Sequence, residues 1–231
     1  MSNTFKVHCD RLPLYAVVSS VIGILSSLVV SMMYSQLDWS KKLHYISDFG
    51  GKYPASVPFT LGLNIAAFLF FISIHLIIVK IRELTHRPDY WLLDMISLAT
   101  AVFLSLLSII SVYDSKLHGI CAGLFFFCAC VAAVFSLQAS NYLRTSLQNK
   151  ACTKLVTAVK YIFIFISVKS TISFAFLHWT QKASSSAAMA EYFAVFGLIG
   201  LLGTFYFDLK GDYLEYVHDH LPSRFPSLST L

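Results

Sequence analysis

An apolar stretch near the start of the chain reads LPLYAVVSSVIGILSSLVVSMM over residues 12–33 and contains no charged residue. A helix needs about 20 apolar residues to cross the hydrocarbon core of a bilayer. A signal peptide has a shorter apolar region, of about 7 to 15 residues, followed by a small-residue cleavage site. We therefore interpret residues 12–33 as an uncleaved transmembrane helix.

The rest of the chain repeats this pattern. Of its 231 residues, 57% are hydrophobic and 13% are charged, whereas about a quarter of an ordinary soluble domain is charged. This balance excludes a soluble enzyme, a disordered regulator and a disulfide-stapled secreted module, since too few polar side chains are present to cover a water-soluble globule. Five further apolar stretches have spanning length, at about 59–79, 91–112, 117–137, 155–177 and 188–207. The sequence predicts an all-α polytopic membrane protein, a six-transmembrane-helix bundle with a structured luminal loop between helices 1 and 2.

Basic residues predict the orientation of these spans, because Lys and Arg are retained on the cytoplasmic side of a membrane. The two termini and the second and fourth loops hold 10 Lys or Arg, against 5 in the other three loops. We expect a cytoplasmic N-terminus (1–11), a membrane domain (12–207) and a cytoplasmic tail (208–231). Nucleic acid is excluded as a partner, because no basic groove with interleaved aromatic residues stands outside the spans.

Ionisable residues inside spans cost roughly 2.5 to 3.5 kcal/mol each and usually face a partner in the protein interior. Lys160 and Lys169 lie nine residues apart, so they project from opposite faces of the fifth span. We predict two buried ion pairs, Lys160 with Asp94 and Lys169 with Glu191. An alternative for Lys160, which lies about one and a half turns from the cytoplasmic end of its span, is that its side chain extends to the interface. An alternative for Lys169 is a role in binding a proton or a lipid headgroup.

Histidine and acidic residues gather at the predicted luminal ends of the spans. His118 opens the fourth span, His178 closes the fifth and Glu191 opens the sixth, while His44, Asp48 and Asp114 lie in the facing loops. If these ends converge, they could bind a metal or perform acid–base chemistry on a lipid ester. No HExxH or GxSxG motif is present, so we treat His118, His178 and Glu191 only as catalytic candidates and expect no metal and no cofactor.

Small residues recur in the sixth span at Gly197, Gly200 and Gly203. In a membrane, small residues on a helix let a neighbouring helix approach closely. We interpret these three glycines as packing residues.

The loop after the first span reads YISDFGGKYP over residues 45–54. Ser47 or Asp48 can cap a turn, the two glycines tolerate unusual backbone angles, and Pro54 stiffens entry into the second span. Asn64 lies about one turn inside that span, where its amide needs a partner across the bundle. We therefore expect an ordered lid over this end of the bundle.

This loop resembles the corresponding part of the Frag/DRAM/Sfk family of six-span membrane proteins. The ISD-x-G element, the proline and the LNI-A-A element at 63–67 resemble most closely the DRAM branch, the damage-regulated autophagy modulators. The segments at 191–193 and 206–208 are similar to the family's last helix. The chain departs from the pattern at His44, where relatives often have proline, and at Ala55-Ser56, where an acidic residue often follows the proline. The motif residues carried by the resemblance are Tyr45, Ile46, Ser47, Asp48, Gly50, Pro54 and Asn64.

The resemblance implies different functions for different branches. DRAM-like members are non-catalytic proteins of lysosomal or endosomal membranes that promote autophagy. The related post-GPI-attachment-to-proteins factors serve GPI-anchor lipid remodelling in the Golgi or ER membrane. A third alternative is a lipid hydrolase or transferase that uses the luminal His and Glu residues. Each implies membrane lipids as partners, with GPI-anchored or lipid substrates in the second and third cases; the resemblance names no protein partner.

Overall fold

The computed structural model describes residues 4–38, 40, 43–85, 90–113, 115–146, 154–181, 184–210 and 213–217. Asp114 and the last fourteen residues of the predicted tail lie outside these ranges. Six of the described helices are long and apolar enough to cross a membrane, which confirms the predicted all-α polytopic bundle. The elements in chain order are β1 (Thr4–His8), a 3-10 turn (Cys9–Arg11), α1 (Leu12–Met33), α2 (Ile46–Phe49), α3 (Ser56–Thr85), α4 (Trp91–Ile109), α5 (Ser115–Ser146), α6 (Lys154–Gln181), α7 (Ser185–Leu209) and β2 (Tyr213–Val217).

Two helices extend well beyond the apolar stretches that predicted them. α3 has 30 residues and α5 has 32, so each is about 45 Å long or more at 1.5 Å per residue. The hydrocarbon core is about 30 Å thick. These helices therefore continue past the membrane core.

The six long helices form a closed ring. α1 packs between α3 and α7, and the ring continues from α3 through α4, α5 and α6 back to α7. Inside the ring, α3, α5 and α7 also touch one another. The largest apolar core joins residues of α1, α3, α4, α5, α6 and α7, with Ile74, Ile78, Leu93 and Phe205 among its most buried members.

Glycines allow two pairs of neighbouring helices, α1 with α3 and α6 with α7, to approach closely. A Cβ atom added to Gly62 of α3 would lie 2.5 Å from the Cα of Gly23 in α1. In α7, a Cβ on Gly197 would lie 2.8 Å from the backbone nitrogen of Ser167 in α6. A Cβ on Gly200 would overlap the aromatic ring of Phe163, which is also in α6. Gly203 has only an ordinary contact with α1. The packing role predicted for the glycines of the last span holds most strongly for Gly197.

The first and last elements that the structure describes, β1 and β2, lie together at one end of the ring. β1 pairs antiparallel with β2, with Thr4 opposite Val217 and His8 opposite Tyr213, and the 3-10 turn packs against α7. The prediction of an all-helical bundle did not anticipate this two-stranded ribbon outside the spans. We call this side the terminal end and the opposite side, where α2 lies, the motif end.

Candidate functional site

The motif segment, residues 43–55, is held against α1 by serine side chains. The hydroxyl of Ser27 lies 2.8 Å from the carbonyl oxygen of Phe49 and 2.7 Å from that of Ala55. Ser31 donates to the same Phe49 carbonyl at 2.8 Å. Both serines are fully buried. Neither serine was predicted as a site residue. A signal is present in the sequence, because one face of α1 carries a line of small residues: Ala16, Ser20, Gly23, Ser27 and Ser31.

Asp48 organises the turn locally. Its Oδ2 accepts the backbone N–H of Tyr45 at 3.0 Å, and the Nδ1 of His44 lies 3.3 Å from the same oxygen. This is the capping role predicted for the YISD sequence. Gly50 is required for a different reason from the one predicted: a Cβ there would overlap the ring of Phe59. The turn is therefore an ordered lid.

Glu191 and Tyr192 of α7 hold the other side of this segment. The Glu191 Oε2 accepts the backbone N–H of Ile46 at 2.8 Å, and Ser47 lies beside the same carboxylate. The Tyr192 hydroxyl donates to the carbonyl of His44 at 3.1 Å. Two of the segments that carry the family resemblance, 45–54 and 191–193, therefore meet in one place, although Ile46 and Glu191 are 145 residues apart in the sequence.

Asn64 and Pro54 secure the entry into α3. The Asn64 side-chain amide donates to the Thr60 carbonyl and to the hydroxyl of Ser108 in α4, each at 2.8 Å. The predicted need for a partner across the bundle is thus met by α4. The carbonyl of Pro54 accepts the N–H of Val57 at 3.2 Å, at the first turn of the helix.

The three catalytic candidates lie in different surroundings. The His118 Nδ1 is 2.9 Å from the carbonyl oxygen of Ile110, so this ring closes the corner between α4 and α5. His178 is exposed, and the centre of its ring lies 6.1 Å from the centre of the Tyr45 ring and 5.6 Å from the centre of the Phe174 ring. Within the described ranges, no hydrogen bond joins His118, His178 and Glu191, and no group of three or more His, Cys, Asp or Glu side chains could hold a metal.

Tyr45 is the remaining polar side chain of the segment. Burial raises the pKa of its phenol, and the nearby Glu191 and Asp48 carboxylates raise it further. The phenol therefore stays neutral at physiological pH. Its buried hydroxyl has no hydrogen-bond partner among the described residues, which leaves a donor available at the motif end.

A cavity of about 110 Å³ lies directly beneath the lid, inside the ring. Residues of α1, α3, α4, α5 and α7 line it, with Ile46, Ser47 and Glu191 towards the motif end and Phe205 towards the terminal end. Glu191 and Phe205 are separated by about 21 Å along α7, at 1.5 Å per residue. A single water molecule needs only about 10 to 15 Å³ of such space. An elongated, mainly apolar cavity of this size is suited to a hydrocarbon chain.

The predicted pair of Lys160 with Asp94 is wrong. Lys160 Nζ lies 2.5 Å from the Oδ2 of Asp208 and 2.7 Å from the hydroxyl of Ser140, and all three side chains are buried. Asp94 instead lies 3.0 Å from the Nδ1 of His75. The physical reason is the order of the ring: α6 packs against α5 and α7 and is not a neighbour of α4.

The predicted pair of Lys169 with Glu191 is also wrong, because the two side chains have separate contacts. Lys169 is exposed on the outer face of α6, with its Nζ 5.9 Å from the centre of the Phe165 ring. Glu191 points inwards and contacts the motif segment. The prediction that Lys160 and Lys169 project from opposite faces of their helix is confirmed.

Comparison with known proteins agrees with this architecture. The sequence matches the family described as Frag1/DRAM/Sfk1/Cwh43P N-terminal domain over residues 8–211. No curated protein and no solved structure gives a match. The matched region contains all six spans, the lid and the cavity, and the chain is an integral, multi-pass membrane protein that belongs to the Frag1/DRAM/Sfk1/Cwh43P N-terminal domain family.

Proposed function

We propose that this chain is a non-catalytic DRAM-like protein of lysosomal or endosomal membranes, which modulates autophagy by binding membrane lipid in the cavity under its lid. The observation that carries this proposal is the elongated apolar cavity beneath the motif segment. Its dimensions suit one hydrocarbon chain, which the surrounding bilayer supplies. The DRAM-like character of the motif residues is what favours the autophagy branch.

The surroundings of the polar side chains support a binding role over catalysis. Glu191 and Asp48 accept backbone N–H groups of the lid, and His118 is engaged by a backbone carbonyl. A general acid or base must reach the proton it transfers in the substrate. These side chains instead use their polar atoms to hold the fold together.

Filling the cavity tests the lipid-binding part of the proposal. Ala132 of α5 lines the cavity, whereas Val134 on the same helix faces outwards. We expect Ala132→Phe to lower cross-linking by a diazirine-bearing phosphatidylcholine at least tenfold, because the ring occupies the space of the acyl chain. The matched variant Val134→Phe should leave cross-linking unchanged. Equal cross-linking of both variants and the unaltered protein would contradict the proposal.

Localisation and loss of function test the cellular part. The tagged full chain should colocalise with lysosomal or endosomal markers, and its loss should alter autophagic flux while GPI-anchored surface proteins remain unchanged. Golgi or ER localisation, together with altered GPI-anchored proteins and normal flux, would contradict it.

That opposite result would support the second candidate, a factor for GPI-anchor lipid remodelling in the Golgi or ER membrane. One observation favours this alternative. The lid and the part of the cavity lined by Ile46, Ser47 and Glu191 lie at the end of the ring opposite to the β1–β2 ribbon, and the distribution of basic residues predicts that this end is luminal. GPI anchors are found on the luminal side.

A further inference from the structure

The outer face of α6 carries a lysine among large apolar side chains. Phe165, Lys169, Ile172 and Phe176 follow one another at intervals of four, three and four residues, so they lie on one face of the helix. All four side chains are exposed on the surface of the ring. The α6 span is also the least covered by the rest of the protein: 17% of an 18-residue apolar stretch is buried, against 28% to 50% of the corresponding stretches in the other five described spans.

Lys169 lies near the middle of the α6 span. The apolar span of α6 is Lys154–His178, and Lys169 is only about 5 Å from its midpoint at 1.5 Å per residue. A lysine near the end of a span can extend its side chain to the interface. The side chain of Lys169 does not extend towards its nearer end, at His178. Its Nζ lies over the ring of Phe165, one turn towards the N-terminal end of α6 and next to the midpoint of the span, in the direction in which helical side chains normally lean.

None of the acidic side chains described within the spans pairs with the ammonium group of Lys169. Glu191 contacts the N–H of Ile46, Asp208 pairs with Lys160, and Asp94 pairs with His75. The contact with Phe165 offsets only part of the cost of a charge at this depth. Lipid phosphates do not neutralise this charge either, because the headgroups lie about 15 Å from the midplane of a bilayer.

We propose that the face formed by Phe165, Lys169, Ile172 and Phe176 docks a membrane-spanning helix of a different protein, and that this helix carries an Asp or Glu near mid-bilayer. Charge complementarity identifies the occupant, because a carboxylate at this depth neutralises Lys169 and is itself neutralised. A second copy of this chain does not offer one, since the acidic side chains described in its spans are engaged within the ring. The inference is independent of the function proposed above.

Site-specific photo-cross-linking tests this face. A benzoyl-phenylalanine replaces Ile172 in the full chain expressed in its native membranes, and a matched control replaces Ile22, an outward-facing isoleucine of α1. We expect position 172, and not position 22, to cross-link to a protein segment that mass spectrometry identifies as a spanning helix with a central Asp or Glu. Lys169→Met should reduce this product at least tenfold, and Lys169→Arg should retain it.

Charge exchange distinguishes a specific pair from a loss of folding. Lys169→Glu should abolish the cross-link, and replacement of the partner's acidic residue by Lys should restore it in that background. Abundance and elution volume of each variant in detergent check that the bundle is intact. Cross-links only to lipid or to a second copy of the chain, equal products from positions 172 and 22, or no effect of Lys169→Met would overturn the proposal.

Discussion

Each buried carboxylate in the spans contacts a specific partner, and these partners determine what a substitution does. Glu191 accepts a backbone N–H of the lid, and Asp208 pairs with Lys160 beside Ser140. The need of Lys160 and Glu191 for partners was predictable from the sequence, but the predicted partners, Asp94 and Lys169, are wrong. The reason is that depth in the membrane can be estimated from position along a helix, whereas the order of helices around a ring cannot.

Replacement of Glu191 tests its role as an acceptor. Glu191→Ala should lower the unfolding temperature of the purified chain, because an unsatisfied buried N–H costs about 1 to 3 kcal/mol. Glu191→Gln keeps an acceptor oxygen, so we expect less than half of that loss. The exposed Met189→Ala, on the same helix, is the control. Thermal unfolding in detergent measures all three, and equal losses for the Gln and Ala variants would show that the acceptor oxygen is not what matters.

The Lys160–Asp208 pair should behave as a coupled unit. Removing one partner leaves an unpaired buried charge, so Lys160→Met or Asp208→Leu alone should cost about 3 to 5 kcal/mol. The double variant should recover most of that loss, because no charge is left without a partner. Chemical denaturation of the four proteins forms a double-mutant cycle, with the exposed Lys154→Met as control. Strictly additive losses would argue against the pair.

At the scale of the helices, small residues determine which faces meet. The buried face of α1 consists of small residues, including Ala16, Ser20, Gly23, Ser27 and Ser31, while its bulky residues face outwards. This is the reverse of the pattern in a soluble helix, because lipid tails are as apolar as leucine and give no hydrophobic drive for helices to associate. Hydropathy therefore predicted the spans but not their packing faces, which the spacing of small residues indicates.

The glycine contact between α1 and α3 gives a test at this scale. Gly62→Ala should destabilise the bundle by about 1 to 3 kcal/mol, because its new Cβ would meet the backbone of Gly23. Gly123→Ala is the matched control, since nothing lies within 4 Å of a Cβ at that position in α5. Thermal unfolding should separate the two variants. A loss for Gly123→Ala as large as that for Gly62→Ala would contradict the observed approach of α1 and α3.

At the scale of the whole molecule, composition and span length were enough to predict six crossings, and the turn residues of segment 45–54 were enough to predict an ordered lid. Two features required the structure. The β1–β2 ribbon joins residues about 200 positions apart, and short strands of this kind give little signal of which segment they pair with. The cavity depends on how five helices fit together, which no single stretch of sequence encodes.

The most direct test concerns the central claim that six spans form a ring with the β1–β2 ribbon at one end and the lid at the other. Tyr53 lies in the motif segment and is 81% exposed, so we would introduce Tyr53→Cys into a chain whose other cysteines are replaced by serine. A membrane-impermeant maleimide applied to sealed vesicles would report its side, and antibodies to tags at the two ends would report theirs. The ring predicts that both tags are reached from one side and the cysteine from the other. Labelling of the cysteine from the same side as either tag would contradict it.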